Sequence, residues 1–169
     1  VGFVLAPRLN AAGRVGYAMR GVDLLMTDVE SEAFGIAREL EEQNRERQTR
    51  ARETLDQARG LLSAIDLDST FGIVLSGEGW HPGVIGIVAS RIVEQTGRPT
   101  LLVAVNDGVG KGSGRSIPAF DLHGALTECR HHFVRFGGHR MAAGITIDPA
   151  RLADFAVQFN EIAGSRLTT

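Results

Sequence analysis

The strongest constraint on the fold is a long helical pattern that runs from Asp28 to Ile65. Apolar residues recur there at the spacing of one helical stripe, namely Val29, Ala33, Ile36, Leu40, Ala51, Leu55, Ala58, Leu62 and Ile65. Between Glu41 and Thr54 the sequence EEQNRERQTRARET is almost wholly polar. A helix of this length spans about 55 Å at 1.5 Å per residue. Apolar ends and a polar centre predict a connector that packs on a different body at each end. The alternative is an ordinary surface helix with a charged face.

Beyond Asp66 the pattern changes to strands that alternate with helices, which is typical of a layered α/β fold. The predicted elements are strand FGIVLS, a helix from His81 to Gly97, strand PTLLVAV, a short strand in GVGKGSGRSI, helix FDLHGALTECRHHF, strand MAAGITI and a helix from Pro149 to Ala163. Pro82 in the first turn and Gly97 just past the end match the usual asymmetry of helix termini. Asp121 is placed to cap the helix that begins after it.

The whole pattern predicts an α/β fold with a mixed sheet flanked by helices and preceded by the long connector helix. We expect a leading segment at 1–27, the connector at 28–66 and the α/β domain at 67–169. Val1 to Val15 are predicted as an apolar lead-in followed by a loop, PRLNAAGR. Because the chain begins at Val1 in what resembles mid-domain sequence, we expect it to be a piece of a longer protein.

Composition excludes several classes of protein. The chain has 169 residues and 43% hydrophobic content, which suits one or two domains with a core. One cysteine excludes a disulfide framework and fits a reducing cytoplasm. No apolar run approaches the roughly 20 residues that span a bilayer, so no membrane contact is expected. The net charge of −2 combines an acidic stretch at 28–66 with a mildly basic one at 71–147, which permits binding to a polyanion.

Two candidate contact residues lie in PRLNAAGR and one lies before a predicted helix. Asn10 and Arg14 flank small residues, and an amide and a guanidinium there could contact a phosphate or a base. A helix-terminating turn with a solvated arginine explains them equally well. His81 precedes a helix N-terminus, which can hold an anion, although a capping histidine is also common.

The glycine-rich segment GKGSGRSIP supplies Ser113, Arg115 and Ser116 as further candidates. It matches neither the Walker A loop nor the dinucleotide-binding glycine motif. Arginine forks bind phosphate in bidentate fashion, and hydroxyls and amides complete such a site. The alternative is a hairpin turn with exposed charge.

The stretch RFGGHRMAAG supplies the last candidates, and it is predicted as a glycine–histidine turn. Gly137 and Gly138 let a ligand approach the backbone, and His139 can donate a hydrogen bond to it. A metal site that combines His139 with His131 and His132 is disfavoured, because adjacent helical histidines diverge and no carboxylate is nearby. Nucleophilic catalysis is disfavoured too, since no G-x-S-x-G elbow occurs. We predict no catalytic residue and no metal ligand in this chain.

Two classes of function remain open from the residues alone. One is a module that binds nucleic acid or nucleotides, and the other is a phosphate enzyme that uses His139 or His81 as acid or base. The first is favoured because the basic and hydroxyl residues are spread over four segments. A polymer needs several contacts along its backbone, whereas a small substrate needs one pocket.

Four segments, in order, resemble the motifs of RecJ-type single-stranded-DNA-specific exonucleases of the DHH phosphoesterase superfamily. These segments are PRLNAAGR, WHPGVIGIVASR, KGSGRSIP and RFGGHRMAAG. The resemblance implies that 1–27 ends a DHH catalytic region, that 67–169 is a DHH-associated domain, and that 28–66 connects the two. It also implies a metal-dependent exonuclease that degrades single-stranded DNA from its 5′ end in DNA repair and recombination.

The resemblance further implies which groups bind the strand and which are missing. The nucleic-acid-binding residues would be Asn10, Arg14, His81, Ser113, Arg115, Ser116, Gly137, Gly138 and His139. No D-H-H triplet occurs, so Mn²⁺ or Mg²⁺ would be held by the DHH domain elsewhere in the parent chain, and this piece is expected to be inactive and to need no cofactor. We expect a monomer. The alternative is a related phosphodiesterase that acts on short oligonucleotides or cyclic dinucleotides.

Overall fold

The computed structural model describes residues 5–167, so the part of the predicted lead-in at 1–4 lies outside the described residues. The chain divides into two compact units, with the boundary between Arg52 and Glu53. Within residues 5–167 no helix is both long enough and apolar enough to cross a membrane. The predicted domain limits of 1–27, 28–66 and 67–169 stay a prediction.

The first unit consists of helices α1 (Leu5–Val15) and α2 (Met19–Met26) and the start of helix α3 (Glu30–Leu62). The prediction of a loop at PRLNAAGR is wrong, because these residues lie within α1. Alanine, leucine and arginine are strong helix formers, and Gly13 alone does not outweigh them. Burial decides the outcome, since Ala12 packs against Ile36 and Leu40 of α3.

Helix α3 confirms the long helix before the sheet. Its 33 residues span about 50 Å. The helix starts after Thr27, whose Oγ1 accepts from the backbone N–H of Val29 and donates to Glu32. The polar middle carries ion pairs one turn apart, such as Arg50 with Glu46 at 2.6 Å. That middle is not wholly solvated, because Asn44 is buried.

The second unit contains a five-stranded mixed sheet. In chain order its strands are β1 (Ile73–Glu78), β2 (Thr100–Asn106), β3 (Val109–Arg115), β4 (Phe133–His139) and β5 (Ala142–Ile147). The spatial order is β1-β2-β3-β5-β4; β1 and β2 are parallel and the other pairs are antiparallel. The predicted mixed sheet with flanking helices is confirmed.

Three helices cover the sheet. They are α4 (Pro82–Thr96), α5 (Leu122–Glu128) and α6 (Leu152–Leu167). Helix α4 packs on β2 and β3, α5 on β4 and β5, and α6 on β1. Gly97 ends α4 in the left-handed region with φ of 66°, and the side chain of Asp121 caps α5 by accepting from the N–H of Gly124. Both termini were predicted from the sequence.

Two predictions for the second unit also differ from the structure. The helix expected over FDLHGALTECRHHF ends at Glu128, and a short 3-10 turn, Arg130–His132, comes after it. The stretch RFGGH is not a turn: it forms strand β4, and the reversal falls at Arg140 and Met141 between β4 and β5. The apolar alternation of β5 and its pairing with β4 extend the sheet through both glycines.

The main core lies on the α5–α6 side of the sheet. Buried residues of β2 and β5 meet aromatic side chains of α6 there; the cluster is Leu101, Val103, Phe120, Leu122, Ala125, Leu126, Cys129, Ala143, Ile145, Ile147, Phe155, Phe159, Ile162 and Ala163. The glycines of β3 lie on this face. A Cβ atom at Gly112 would be 2.5 Å from Cγ1 of Ile145, so these small residues let the core approach the strand closely.

Candidate functional site

The opposite face of strands β3, β5 and β4 carries three of the polar candidates, Ser113, Arg115 and His139. Residues directly opposite each other in antiparallel strands point to the same side of a sheet. Three rows therefore cross these strands: Arg115–Ala142–His139, Ser113–Gly144–Gly137 and Lys111–Thr146–Arg135. We call these nine residues the open face, because Gly137 and Gly144 at its centre are exposed. Helix α4 packs over β2 and β3 and so covers only the β3 part of this surface.

Arg115 and Ser113 form the part of the open face that lies under α4. Nη1 of Arg115 donates to Oγ of Ser113 at 3.1 Å and to the Gly114 carbonyl at 2.7 Å. Gly86 of α4 makes room for both side chains, since a Cβ atom there would be 2.6 Å from Nη2 of Arg115 and 2.8 Å from Oγ of Ser113. The guanidinium is therefore held in one orientation by its own strand and by the helix above it.

His81 has the capping role that was the plainer alternative for it. Its Nδ1 accepts from the backbone N–H of Gly83 at 3.0 Å, which satisfies one of the open N–H groups of α4. Trp80 fixes this helix start, because its indole N–H donates to Gln57 and its carbonyl accepts from Asn106. Pro82, the next residue of α4, lines a cavity of about 230 Å³ together with Lys111 of the open face.

The two glycines of β4 differ in their surroundings. Gly138 has φ of 150°, and a Cβ atom there would lie 2.4 Å from the carbonyl oxygen of Ala142. The fold therefore requires glycine at this position. A Cβ atom at Gly137 would meet nothing within 4 Å, so packing does not explain that glycine. His139 is exposed at the end of β4, in the same row as Arg115.

Ser116 follows the last residue of β3 and is not part of the open face. Its side chain is buried, with 7% of the residue exposed, and its hydroxyl donates to the carbonyl of Phe120 at 2.8 Å. This bond holds the loop between β3 and α5. The serine hydroxyl thus has a structural task that the sequence alone did not reveal.

Asn10 and Arg14 belong to the first unit and lie four residues apart on α1, so they share one helix face. Both are exposed. The positive charge of Arg14 adds to the effect of burial, which is the larger cause, in lowering the pKa of Arg47. On the same helix, a hydrogen bond from Arg8 lowers the pKa of Glu41.

Sequence reasoning missed Lys111, Arg135 and Thr146, which form one row of the open face. With Gly137 and Gly144 they line a cavity of about 380 Å³. The signal that could have found Lys111 is the alternation in GKGSGR, where every second residue is glycine and the others are polar. Arg135 could not be placed this way, because an irregularity between Phe133 and Arg135 shifts the register of β4.

Potential metal ligands are not grouped in the part of the chain that the structure covers. No group of three or more histidine, cysteine, aspartate or glutamate side chains is close enough there to hold an ion. The rings of His131 and His132 are tilted by 39° with centroids 4.2 Å apart, and Nε2 of His132 forms a hydrogen bond with Oε1 of Gln158. His139 lies at the other end of β4.

These features coincide with those of a known domain class. Residues 69–165, more than half of the chain, match the model of the DHHA1 domain. The chain therefore belongs to the DHHA1 domain family, and the resemblance noted in the sequence is confirmed.

The relatives are more specific than the domain. The chain is 44% identical over 170 residues to the single-stranded-DNA-specific exonuclease RecJ of Bacillus subtilis (strain 168), a match that covers 99% of this chain and 22% of that protein. The crystal structure of RecJ in complex with Mg²⁺ from Thermus thermophilus superposes with a TM-score of 0.87 at 40% identity, over 96% of this chain and 25% of that one. A structure of exonuclease RecJ bound to manganese gives a TM-score of 0.84 at 41% identity, over 96% of this chain and 40% of that one. The chain thus spans less than half of each relative.

Proposed function

We propose that this chain is the single-strand-binding part of a RecJ-type exonuclease, which degrades single-stranded DNA from its 5′ end in DNA repair and recombination. The observation that carries the proposal is the open face, where Lys111, Arg115, Arg135 and His139 surround exposed backbone at Gly137 and Gly144. The names of the relatives favour this function over the alternative of a phosphodiesterase for short oligonucleotides or cyclic dinucleotides.

Within this proposal, residues 67–169 are the DHH-associated domain, 28–66 the connector, and 1–27 the end of a DHH catalytic region. Arg115 binds a phosphate through its guanidinium fork, and Ser113 both orients that fork and offers its own hydroxyl. His139 contacts the phosphate or sugar of the terminal nucleotide. Asn10 and Arg14, which belong to the first unit, bind nucleic acid as well. Gly138 and His81 support the site through the conformation of β4 and the start of α4.

Hydrolysis is assigned to residues outside this chain. The relatives' structures contain Mg²⁺ or Mn²⁺. The described residues do not fit such an ion, because the open face presents cationic side chains and residues 5–167 contain no cluster of metal-ligating groups. A divalent ion would instead be held by the DHH domain and would activate water there. The monomeric state and the cytoplasmic location stay predictions.

Binding of a labelled single-stranded oligonucleotide to the 169-residue chain tests the proposal. We expect weak binding that falls steeply with added salt, because each phosphate contact releases counterions. The variant Arg115→Ala should lower affinity by roughly tenfold for every base sequence alike, since a phosphate contact carries no sequence information. Fluorescence anisotropy over a range of salt concentrations measures both effects.

The matched control is Arg91→Ala, which removes an exposed arginine that pairs with Glu94 on α4. This variant should bind like the parent chain. Loss of affinity for some base sequences only, or equal loss in both variants, contradicts the role of Arg115. Added Mg²⁺ or Mn²⁺ should not lead to shortening of the oligonucleotide, and shortening would contradict the assignment of hydrolysis to the missing region.

A further inference from the structure

Two cations of the open face oppose each other across strand β5. Lys111 of β3 pairs in register with Thr146, and Thr146 pairs with Arg135 of β4. The backbones of Lys111 and Arg135 are therefore about 10 Å apart, twice the spacing of neighbouring strands. Both side chains are exposed and long enough to converge above Thr146.

The surroundings of this pair suit an anion. Lys111, Arg135 and Thr146 line the cavity of about 380 Å³, whose other lining residues are Gly112, Phe136, Gly137, Gly144 and Ile145. No carboxylate is among these lining residues. Two positive charges and a hydroxyl therefore face a concave space without a neutralising partner in its lining, which is the arrangement that phosphate groups favour.

This position is separate from the one at Arg115. Lys111 and Arg115 are four residues apart on β3, so their backbones are about 13 Å apart. The Arg115 guanidinium is also directed toward its own strand by bonds to Ser113 and Gly114. One phosphate group cannot contact both cations, and the open face has two distinct positions for an anion.

Bare backbone connects the two positions. Gly137 and Gly144 pair in register in the row between them. A Cβ atom at Gly137 would meet nothing within 4 Å, and one at Gly144 would meet only the Gly112 carbonyl oxygen at 3.8 Å. Glycine within a strand weakens it, and a position without a packing reason for glycine indicates that another group approaches the backbone closely.

We propose that Lys111 and Arg135, with Thr146 between them, form a second phosphate subsite that holds an internal phosphate of a single strand. In this arrangement the first phosphate of the single-stranded DNA lies on Arg115. The DNA then crosses Gly137 and Gly144, where a sugar or base contacts the protein backbone, and a later phosphate reaches Lys111. This inference rests on the proposed function and adds to it a dependence on the length of the bound strand.

Probes of graded length test the subsite in the 169-residue chain. Thymidine 5′-monophosphate reaches one position only, whereas a 5′-phosphorylated octathymidylate reaches both. Amide shifts of Gly137 and Gly144 in nuclear magnetic resonance titrations report occupancy and give the affinity for each probe. We expect affinity to rise with length in the parent chain.

The double variant Lys111→Ala/Arg135→Ala should lower octathymidylate affinity by roughly tenfold and reduce the salt slope by about one for each removed cation. Its affinity for the mononucleotide should fall by a smaller factor, because Arg115 remains to bind a single phosphate. The charge-preserving pair Lys111→Arg/Arg135→Lys should restore the length dependence. The control Arg91→Ala/Arg130→Ala removes two exposed cations outside the open face and should behave like the parent chain.

Gly137→Ala separately tests the contact between the DNA and the exposed backbone at Gly137 and Gly144. Its methyl group enters open space, so the fold should keep its stability while octathymidylate binding weakens severalfold. Length dependence that survives in the Lys111→Ala/Arg135→Ala variant overturns the second subsite, and if Arg115→Ala still weakens binding, the proposed function stands without it. A parent chain that binds no probe at low salt overturns both.

Discussion

The two faces of strands β3, β5 and β4 use glycine in opposite ways. On the core face, a Cβ atom at Gly112 or Gly138 would come within 2.5 Å of a neighbouring atom. On the open face, a Cβ atom at Gly137 or Gly144 would be no closer than 3.8 Å to any atom outside the adjacent residues. Glycine is thus required at Gly112 by core packing and at Gly138 by the backbone of β5, whereas on the open face packing leaves room for a larger residue.

This difference separates glycines that the fold requires from glycines that a bound ligand would explain, although the two look alike in the sequence. In the pair Gly137–Gly138 the second residue is explained by the fold, and only the first is left for a ligand to explain. The same holds across β3, where the glycines lie against the core and the polar residues between them, Lys111, Ser113 and Arg115, lie on the open face. Substitutions to alanine test the separation directly.

The largest effect is expected for Gly138→Ala. The new Cβ atom would lie 2.4 Å from the Ala142 carbonyl oxygen and 2.5 Å from Cα of Ala143, and these backbone atoms cannot move aside without disturbing β5. The φ of 150° adds strain. We expect the free energy of unfolding to fall by about 2–4 kcal/mol, measured by urea denaturation.

The same substitution on the open face is the control for that prediction. Gly144→Ala makes one ordinary contact, at 3.8 Å, so its free energy of unfolding should stay within about 0.5 kcal/mol of the parent value. Equal losses at Gly138 and Gly144 would show that both faces are packed alike and would remove the basis for distinguishing them.

A smaller effect, and one that depends on pH, is expected from Cys129, which lies at the end of α5 in the buried core. Burial raises the pKa of its thiol to about 11. The native state then holds the thiol proton more tightly than the unfolded state, so the contribution of the neutral thiol to stability is complete below pH 9 and is lost as the pH rises through 11.

We expect this loss to reach about 2 kcal/mol, and Cys129→Ala should not show it. The variant will be less stable at neutral pH because it leaves a cavity, but its stability should approach that of the parent chain in alkaline solution. Urea denaturation at a series of pH values measures the gap. A gap that stays constant would mean that the thiol is not desolvated in the core.

The sequence predicts some of the helices and strands and misses others, depending on whether the signal is local or comes from distant residues. Periodicity and caps were sufficient for α3, α4 and strands β1, β2, β3 and β5, because those signals are local. The helix at PRLNAAGR was missed, since its Ala12 packs against Ile36 and Leu40, more than twenty residues away. Strand β4 was missed because its two glycines resemble a turn until β5 pairs with them.

The site was harder to predict than the fold. Sequence reasoning grouped Ser116 with Ser113 and Arg115 as a donor-rich segment, whereas in the structure the side chain of Ser116 is buried and its hydroxyl donates to the Phe120 carbonyl. Its role in binding nucleic acid stays a prediction. Sequence reasoning did not select Arg135, because the position of this residue on the open face depends on the irregular register of β4. Which side of a strand a residue occupies is determined by pairing between distant segments, and a single motif does not contain that information.

A small change in stability is also expected at Gly86, where helix α4 crosses above Arg115. A Cβ atom there would be 2.6 Å from Nη2 of Arg115 and 2.8 Å from Oγ of Ser113, and both are ends of side chains that can move. Alanine also favours a helix over glycine by about 1 kcal/mol, which offsets the contact. We therefore expect Gly86→Ala to unfold within about 1 kcal/mol of the parent chain.

Binding should nevertheless suffer, because the methyl group displaces the guanidinium from its position beside Ser113. Single-strand affinity should fall by a fewfold in Gly86→Ala, and adding the substitution to Arg115→Ala should lower affinity no further, since both changes act on one contact. Anisotropy titrations of the two single variants and the double variant measure this coupling. Additive losses would mean that Gly86 affects DNA binding independently of Arg115. Helix α4 would then itself be part of the DNA-binding interface.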